Sequence, residues 1–129
     1  MKTLIILVLL VVVFFVVKRA LAGPSVSADE AAARVEAGTA VLIDVREPDE
    51  WAGGVAGPAR LCSFSDLRGE RLQWKKLLEE NRDKELILYC ASGARSGMAA
   101  GMLRKEGFNA VNAGGFGGWR SAGLPVRQP

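Results

Sequence analysis

Fourteen consecutive apolar residues, Leu4 to Val17, run near the start of the chain without one polar position, and beyond Gly23 the apolar residues fall into short blocks parted by polar, glycine-bearing stretches. Ser27-Ala28-Asp29-Glu30 has the form of a capping box, with Ser27 as N-cap and Glu30 reaching back, and predicts a helix to about Ala37 that stops at Gly38. Residues 40 to 45 read as a buried strand. Pro48 suits the first turn of a short helix through Trp51, Gly53 to Pro58 reads as a loop, and Ser65 to Asn81 carries helical spacing at Leu72, Leu77 and Leu78. A second buried strand, Leu86 to Cys90, is followed by a helix from Arg95 to about Glu106 stopped by Gly107, and then by a strand near Ala110 to Asn112. Strands alternating with helices imply an α/β fold, a central parallel sheet covered on both faces, in which ligands bind beyond the carboxyl ends of the strands. Cys90 occupies such an end.

The leading apolar run divides the chain into a signal or anchor segment (1–22), a linker (23–26) and one domain (27–127). At about 1.5 Å per residue the run spans roughly 21 Å, short of a hydrocarbon core of about 30 Å. That length fits a signal-peptide core, and Ala20 and Ala22 fit a cleavage site before Gly23. Lys18 and Arg19 suit cleavage poorly and, if they snorkel, allow residues 4–22 to act as an uncleaved membrane anchor. The expectation is membrane association through this segment, or export to the periplasm if cleavage follows Ala22. Flanking charge leaves the orientation open.

Charge reads differently once the leader is set aside. Three of the 17 basic residues, Lys2, Lys18 and Arg19, lie in the first nineteen positions, which leaves 14 basic against 14 acidic beyond them. The domain is neutral and has no basic stripe, so nucleic acid is not an expected partner. Histidine is absent from the chain, which excludes a Cys-His dyad, a Ser-His-Asp triad and a histidine metal site. Two cysteines alone make no structural zinc site, and the expected metal and cofactor requirement is none.

The run Cys90-Ala91-Ser92-Gly93-Ala94-Arg95 carries the candidate chemistry. A thiol between a strand end and a helix start faces unpaired backbone N–H groups and the positive end of the helix dipole, both of which favour thiolate. Ala91, Ser92, Gly93 and Ala94 are small enough for the loop to curl round an anion, and Arg95 adds a permanent positive charge. Gly93, Gly97 and Gly101 recur every four residues and predict close packing of this helix on the sheet. Asp44 and Arg46 read as an ion pair fixing a strand end, Trp51, Trp74 and Trp119 as packing residues, and Cys62 as a buried thiol or a resolving partner for Cys90.

At these residues the sequence resembles the rhodanese family of sulfurtransferases. Val41-Leu42-Ile43-Asp44-Val45-Arg46-Glu47 is similar to its first signature, the cysteine loop to its active-site loop, and Gly117-Gly118-Trp119 through Gly123-Leu124-Pro125-Val126 to its C-terminal one. The resemblance implies a single rhodanese-like domain. It also implies that Cys90 accepts sulfur as a persulfide from thiosulfate or a persulfide donor and passes it to cyanide or a thiol. Residues 91 to 95 would bind the donor, with Arg95 steering its anionic group, and Trp119 would lie near the pocket. One departure is visible: Gly54-Val55-Ala56-Gly57-Pro58 stands where many rhodaneses have Gly-His-Ile-Pro-Gly. Asn112-Ala113-Gly114-Gly115 is similar to small exported bacterial members, which favours an extracytoplasmic site. Related phosphatases use a cysteine loop one residue longer, so the six positions from Cys90 to Arg95 disfavour phosphate. The alternative is a membrane-tethered module that binds or senses redox state without turnover.

Overall fold

The computed structural model describes residues 1–21 and 23–129, the side chains of 19–21 aside. Helix α1 (Lys2–Leu21) contains the whole leading apolar run, and Leu4 to Val17 each expose between 47% and 63% of their surface. No helix among the described residues is long and apolar enough to cross a membrane. The Ala22 cleavage position and the Arg19 side chain lie outside what is described.

The capping signal at Ser27 opens α2 (Ala28–Glu36). Its hydroxyl accepts the Glu30 N–H at 3.2 Å, while the Glu30 carboxylate meets the same hydroxyl rather than a backbone amide. The chain then continues through β1 (Ala40–Asp44), α3 (Pro48–Trp51), β2 (Val55–Ala56), β3 (Arg60–Leu61), α4 (Phe64–Leu67), α5 (Trp74–Glu80), β4 (Glu85–Cys90), α6 (Ala94–Lys105), β5 (Ala110–Gly115), α7 (Phe116–Ser121) and β6 (Val126–Arg127). Four strands form a parallel sheet in the order β3-β1-β4-β5, as the α/β pattern implied.

Strand alternation sorts the core into two layers. Val41, Ile43, Leu86, Leu88 and Cys90 face α4, α5 and α6, where they join Leu67, Trp74, Leu77, Ala99, Ala100 and Leu103. Leu42, Ile87, Tyr89 and Val111 face α2 and α7, with Ala31, Phe116 and Trp119. Each fully buried Leu or Ile contributes roughly 1.5–3 kcal/mol, and the central strands β1 and β4 are buried along nearly their whole length. Cys90 is the last residue of one of them.

Three features depart from the sequence expectation. The stretch 65–81 is two helices rather than one: Ser63 caps α4, Arg71 adopts a left-handed φ of 61°, and the Asp66 carboxylate accepts the N–H groups of Leu72 and Gln73. The reversal lets Trp74 bury completely and donate its indole N–H to the Ser63 carbonyl at 2.8 Å, while Leu72 is left 77% exposed. The loop at 53–58 contains β2, paired antiparallel to β6. The last strand of the sheet extends past Asn112 to Gly115, and on its outer edge Ser25 bridges to Asn112 through Val26 N–H to Asn112 O (3.0 Å) and Asn112 N–H to Pro24 O (3.2 Å).

Candidate active site

The Cys90 side chain is fully buried beneath its loop. Gly93 makes that loop: at φ +92° it turns the chain into α6, and its N–H donates to the Cys90 sulfur at 3.0 Å. A Cβ there would stand 3.1 Å from Gly114 Cα as well as in the left-handed region, so only glycine fits without strain. The Ser96 hydroxyl, in the first turn of α6, lies 3.3 Å from the same sulfur. Burial works against a charged sulfur, but the Ser96 hydroxyl and the amides of Ser96, Ser92 and Gly93 outweigh it and hold the thiol below its ordinary range. The thiolate is the nucleophilic form.

Neither Ser96 nor Asn112 is expected at the site from the sequence, where Asn112 reads only as part of the Asn112-Ala113-Gly114-Gly115 motif. Asn112, on β5, accepts from Ser96 Oγ at 2.7 Å and from Gly114 N–H at 2.9 Å, and donates from Nδ2 to the Gly93 carbonyl at 3.0 Å. The serine has one proton and two acceptors, Cys90 and Asn112. A negative sulfur draws that proton; a neutral one leaves it with the amide.

Asp44 and Arg46 are paired as expected, at 2.8 Å and almost completely buried. Asp44 also accepts from the Trp51 indole at 3.1 Å and from the Tyr89 hydroxyl at 2.6 Å, and Tyr89 in turn accepts the Ala56 N–H at 2.9 Å. Arg46 bonds the Gly54 carbonyl at 2.7 Å and stacks 4.5 Å over Phe116. This network lies with the α2 and α7 layer and braces the strand ends. Trp119 is buried in that layer too, donating to the Pro125 carbonyl at 2.7 Å and lining a groove of about 590 Å³ with Ala32 and Val35.

Arg95 is engaged elsewhere. Its guanidinium binds the Glu50 carboxylate through two hydrogen bonds, of 2.6 and 2.9 Å, instead of standing free over the loop. The pair raises Arg95 above its ordinary range and holds Glu50 down to about 2. Ala91, Ser92 and Ala94 are exposed on the loop's outer side, where Ala94 N–H reaches Ser92 Oγ at 3.4 Å and the Ala91 carbonyl presses on Gly115.

Helix α6 packs on the sheet through Ser96, Ala99, Ala100 and Leu103, all buried, not through the glycine stripe. Gly97 does allow Asn112 to approach, since a Cβ there would lie 3.2 Å from Nδ2, but Gly101 meets only the far end of Arg104.

Cys62 is free and buried, and burial pushes its thiol up to about 11. It follows β3, while Cys90 ends β4; Leu61 and Tyr89 flank Asp44 from opposite sides. Two strand spacings separate those positions, about 9.5 Å, beyond the roughly 7 Å that a disulfide bridges. Cys62 is therefore a core residue and not a resolving thiol in this conformation. No cluster of metal-binding residues occurs among the described residues.

A parallel sheet with a cysteine at one strand end, facing the start of the next helix, is the architecture of the rhodaneses. The chain belongs to that family: the family model described as a rhodanese-like domain matches residues 27–122. It is 42% identical over 82 residues to the uncharacterized protein YqhL of Bacillus subtilis (62% of this chain, 60% of that protein). It is 32% identical over 91 residues to a sulfurtransferase of Allochromatium vinosum (69% and 79%). The chain thus spans three-fifths of the length of the first of these relatives. Its fold matches the crystal structure of a rhodanese-related protein from Thermoplasma volcanium with a TM-score of 0.70 at 30% identity, covering 83% of this chain and all of that one. Family membership supports a sulfur-transfer role in general.

Proposed function

We propose that the protein is a sulfurtransferase that carries sulfane sulfur as a persulfide on Cys90. The observation that carries this reading is the pair of donors on the Cys90 sulfur, Gly93 N–H at 3.0 Å and Ser96 Oγ at 3.3 Å, which favour the charged form of the sulfur over the neutral thiol. The thiolate attacks the outer sulfur of thiosulfate or of a persulfide. The S–S bond of the donor breaks, its electron pair leaves with sulfite or a thiolate, and the sulfur remains on Cys90. A thiol or cyanide then takes it and regenerates the thiolate. The hydrogen-bonded loop stabilises negative charge at each stage, and no proton has to be removed from the nucleophile during the attack.

Intact-mass measurement after exposure to a sulfane-sulfur donor tests the reading. We expect a gain of one sulfur atom, reversed by excess thiol and absent in Cys90→Ser. A wild-type chain that gains no sulfur, or a Cys90→Ser chain that still transfers it, overturns the proposal. The redox-sensing alternative has less support, since Cys62 lies out of reach of Cys90.

We propose further that α1 associates the chain with a membrane surface or, as a leader removed before Gly23, sends the domain to the extracytoplasmic side. The support is the apolar surface all round α1, which water does not favour. Fractionation with intact-mass measurement tests it. A full-length chain found only in the cytosolic fraction would sink it.

A further inference from the structure

We infer that Glu50 is a specificity-determining residue: by pairing with Arg95 it cancels the only positive charge of the cysteine loop, so that Cys90 takes sulfur from persulfides in preference to thiosulfate. This inference rests on the sulfur-transfer reading above and names its donor class.

The geometry at the loop mouth carries the argument. Arg95 is the only cation between Cys90 and Arg95, and Glu50 takes both of its outward nitrogens. Glu50 is itself held in place, because its Oε1 accepts the Glu47 N–H at 3.0 Å in the capping box that starts α3. The Glu47 carboxylate, fixed by Ser65 N–H at 3.1 Å and Ser65 Oγ at 2.7 Å, adds a second negative charge on the same side. The neighbouring Arg46 offers no relief, since it is committed to Asp44.

The two donor classes differ in what they ask of this site. Thiosulfate brings two negative charges to a thiolate and departs as sulfite, again a dianion. A persulfide brings at most one charge at the reacting sulfur and departs as a thiolate. Both steps balance, with the donor's S–S bond broken and one new S–S bond formed on Cys90. Only the first needs an uncommitted cation beside the sulfur to offset like-charge repulsion in a partly buried site.

Two parallel measurements test this on the full chain. The first compares alkylation of Cys90 by iodoacetate, an anion, and by iodoacetamide, which is neutral. The second compares transfer from thiosulfate and from a small alkyl persulfide. We expect Glu50→Gln, which keeps the shape and the acceptor for Glu47 N–H, to raise both the anion-to-neutral ratio and the thiosulfate-to-persulfide ratio about tenfold. Adding Arg95→Gln to that variant should return both ratios to within about twofold of wild type, since the two charges cancel. Ratios unmoved by Glu50→Gln, or a double variant as impaired with anions as Arg95→Gln alone, overturn the inference. The wild type provides a check free of folding effects: its iodoacetate rate should be flat or rise with salt, and a fall would reveal an uncommitted positive charge and overturn it. If neither donor leaves sulfur on Cys90, the sulfur-transfer reading fails and the donor preference with it, while the alkylation ratios still report the charge balance by themselves.

Discussion

Ser96 sets its hydroxyl 3.3 Å from the Cys90 sulfur, in the first turn of the helix that the cysteine loop begins. The contact is worth most when the sulfur is charged, because hydrogen bonds to ions are stronger than those between neutral groups. Wild-type Cys90 should therefore alkylate with a midpoint below the ordinary thiol value of about 8.5. In Ser96→Ala we expect the midpoint to rise, because a hydrogen bond that favours the charged sulfur is lost while the backbone amides remain. The pH profile of iodoacetamide alkylation measures both. An unchanged midpoint in the variant would assign the effect to the backbone amides alone.

Asp44→Asn removes the charge that Arg46 faces without altering the shape of the side chain. The guanidinium is left almost completely buried without its paired carboxylate, and leaving one member of a buried pair costs about 3–5 kcal/mol. Denaturant unfolding should show a loss of that order. A loss below about 1 kcal/mol would mean that the bonds from Trp51 and Tyr89 do the bracing without the charge.

Glu50 ties stability to acid. Its pKa is lowered to about 2 in the folded protein, chiefly by the hydrogen bonds from Arg95, against an ordinary value near 4.3. A depressed carboxylate stabilises the fold fully above its unfolded pKa and loses that contribution as pH falls through the folded one. The melting-temperature difference between wild type and Glu50→Gln should be complete above about pH 5 and disappear towards pH 2. A constant difference across that window would show that the pairing adds nothing to stability, as holds for many exposed ion pairs.

Gly115→Ala tests the support of the loop. The added Cβ would stand 2.5 Å from the Ala91 carbonyl oxygen, so the loop or the strand has to move, at a cost of about 1–3 kcal/mol. We expect lower stability and at least tenfold slower sulfur transfer. Gly117→Ala serves as the control, because a Cβ there meets nothing within 4 Å and the position is helical. It should be neutral or stabilising by up to about 1 kcal/mol.

Local signals carried far in this chain. Ser27 at a helix start, the apolar run ending at Asp44 and the strand ending at Cys90 all form where the sequence implied, because each is decided by neighbours a few residues away. The single helix over 65–81 failed for the opposite reason: burial of Trp74 against Ser63 reverses the chain, and no spacing of leucines announces that. The strands β2, β3 and β6 are two residues each and exist only through their partners. The same holds within the site. Cys90 and Gly93 were legible from the loop itself, whereas Asn112 matters through Gly93 and Ser96 across 19 and 16 residues, and Glu50 through Arg95 across 45. A serine in the first turn of a helix behind a cysteine was the one readable hint of a second donor.

The bridge from Ser25 to Asn112 joins the start of the domain to the residue that steadies the cysteine loop. Four residues lead from Leu21 at the end of α1 to Ser25, no more than about 14 Å of extended chain. While α1 is retained, whatever grips it therefore keeps the strand edge behind Cys90 on a very short leash.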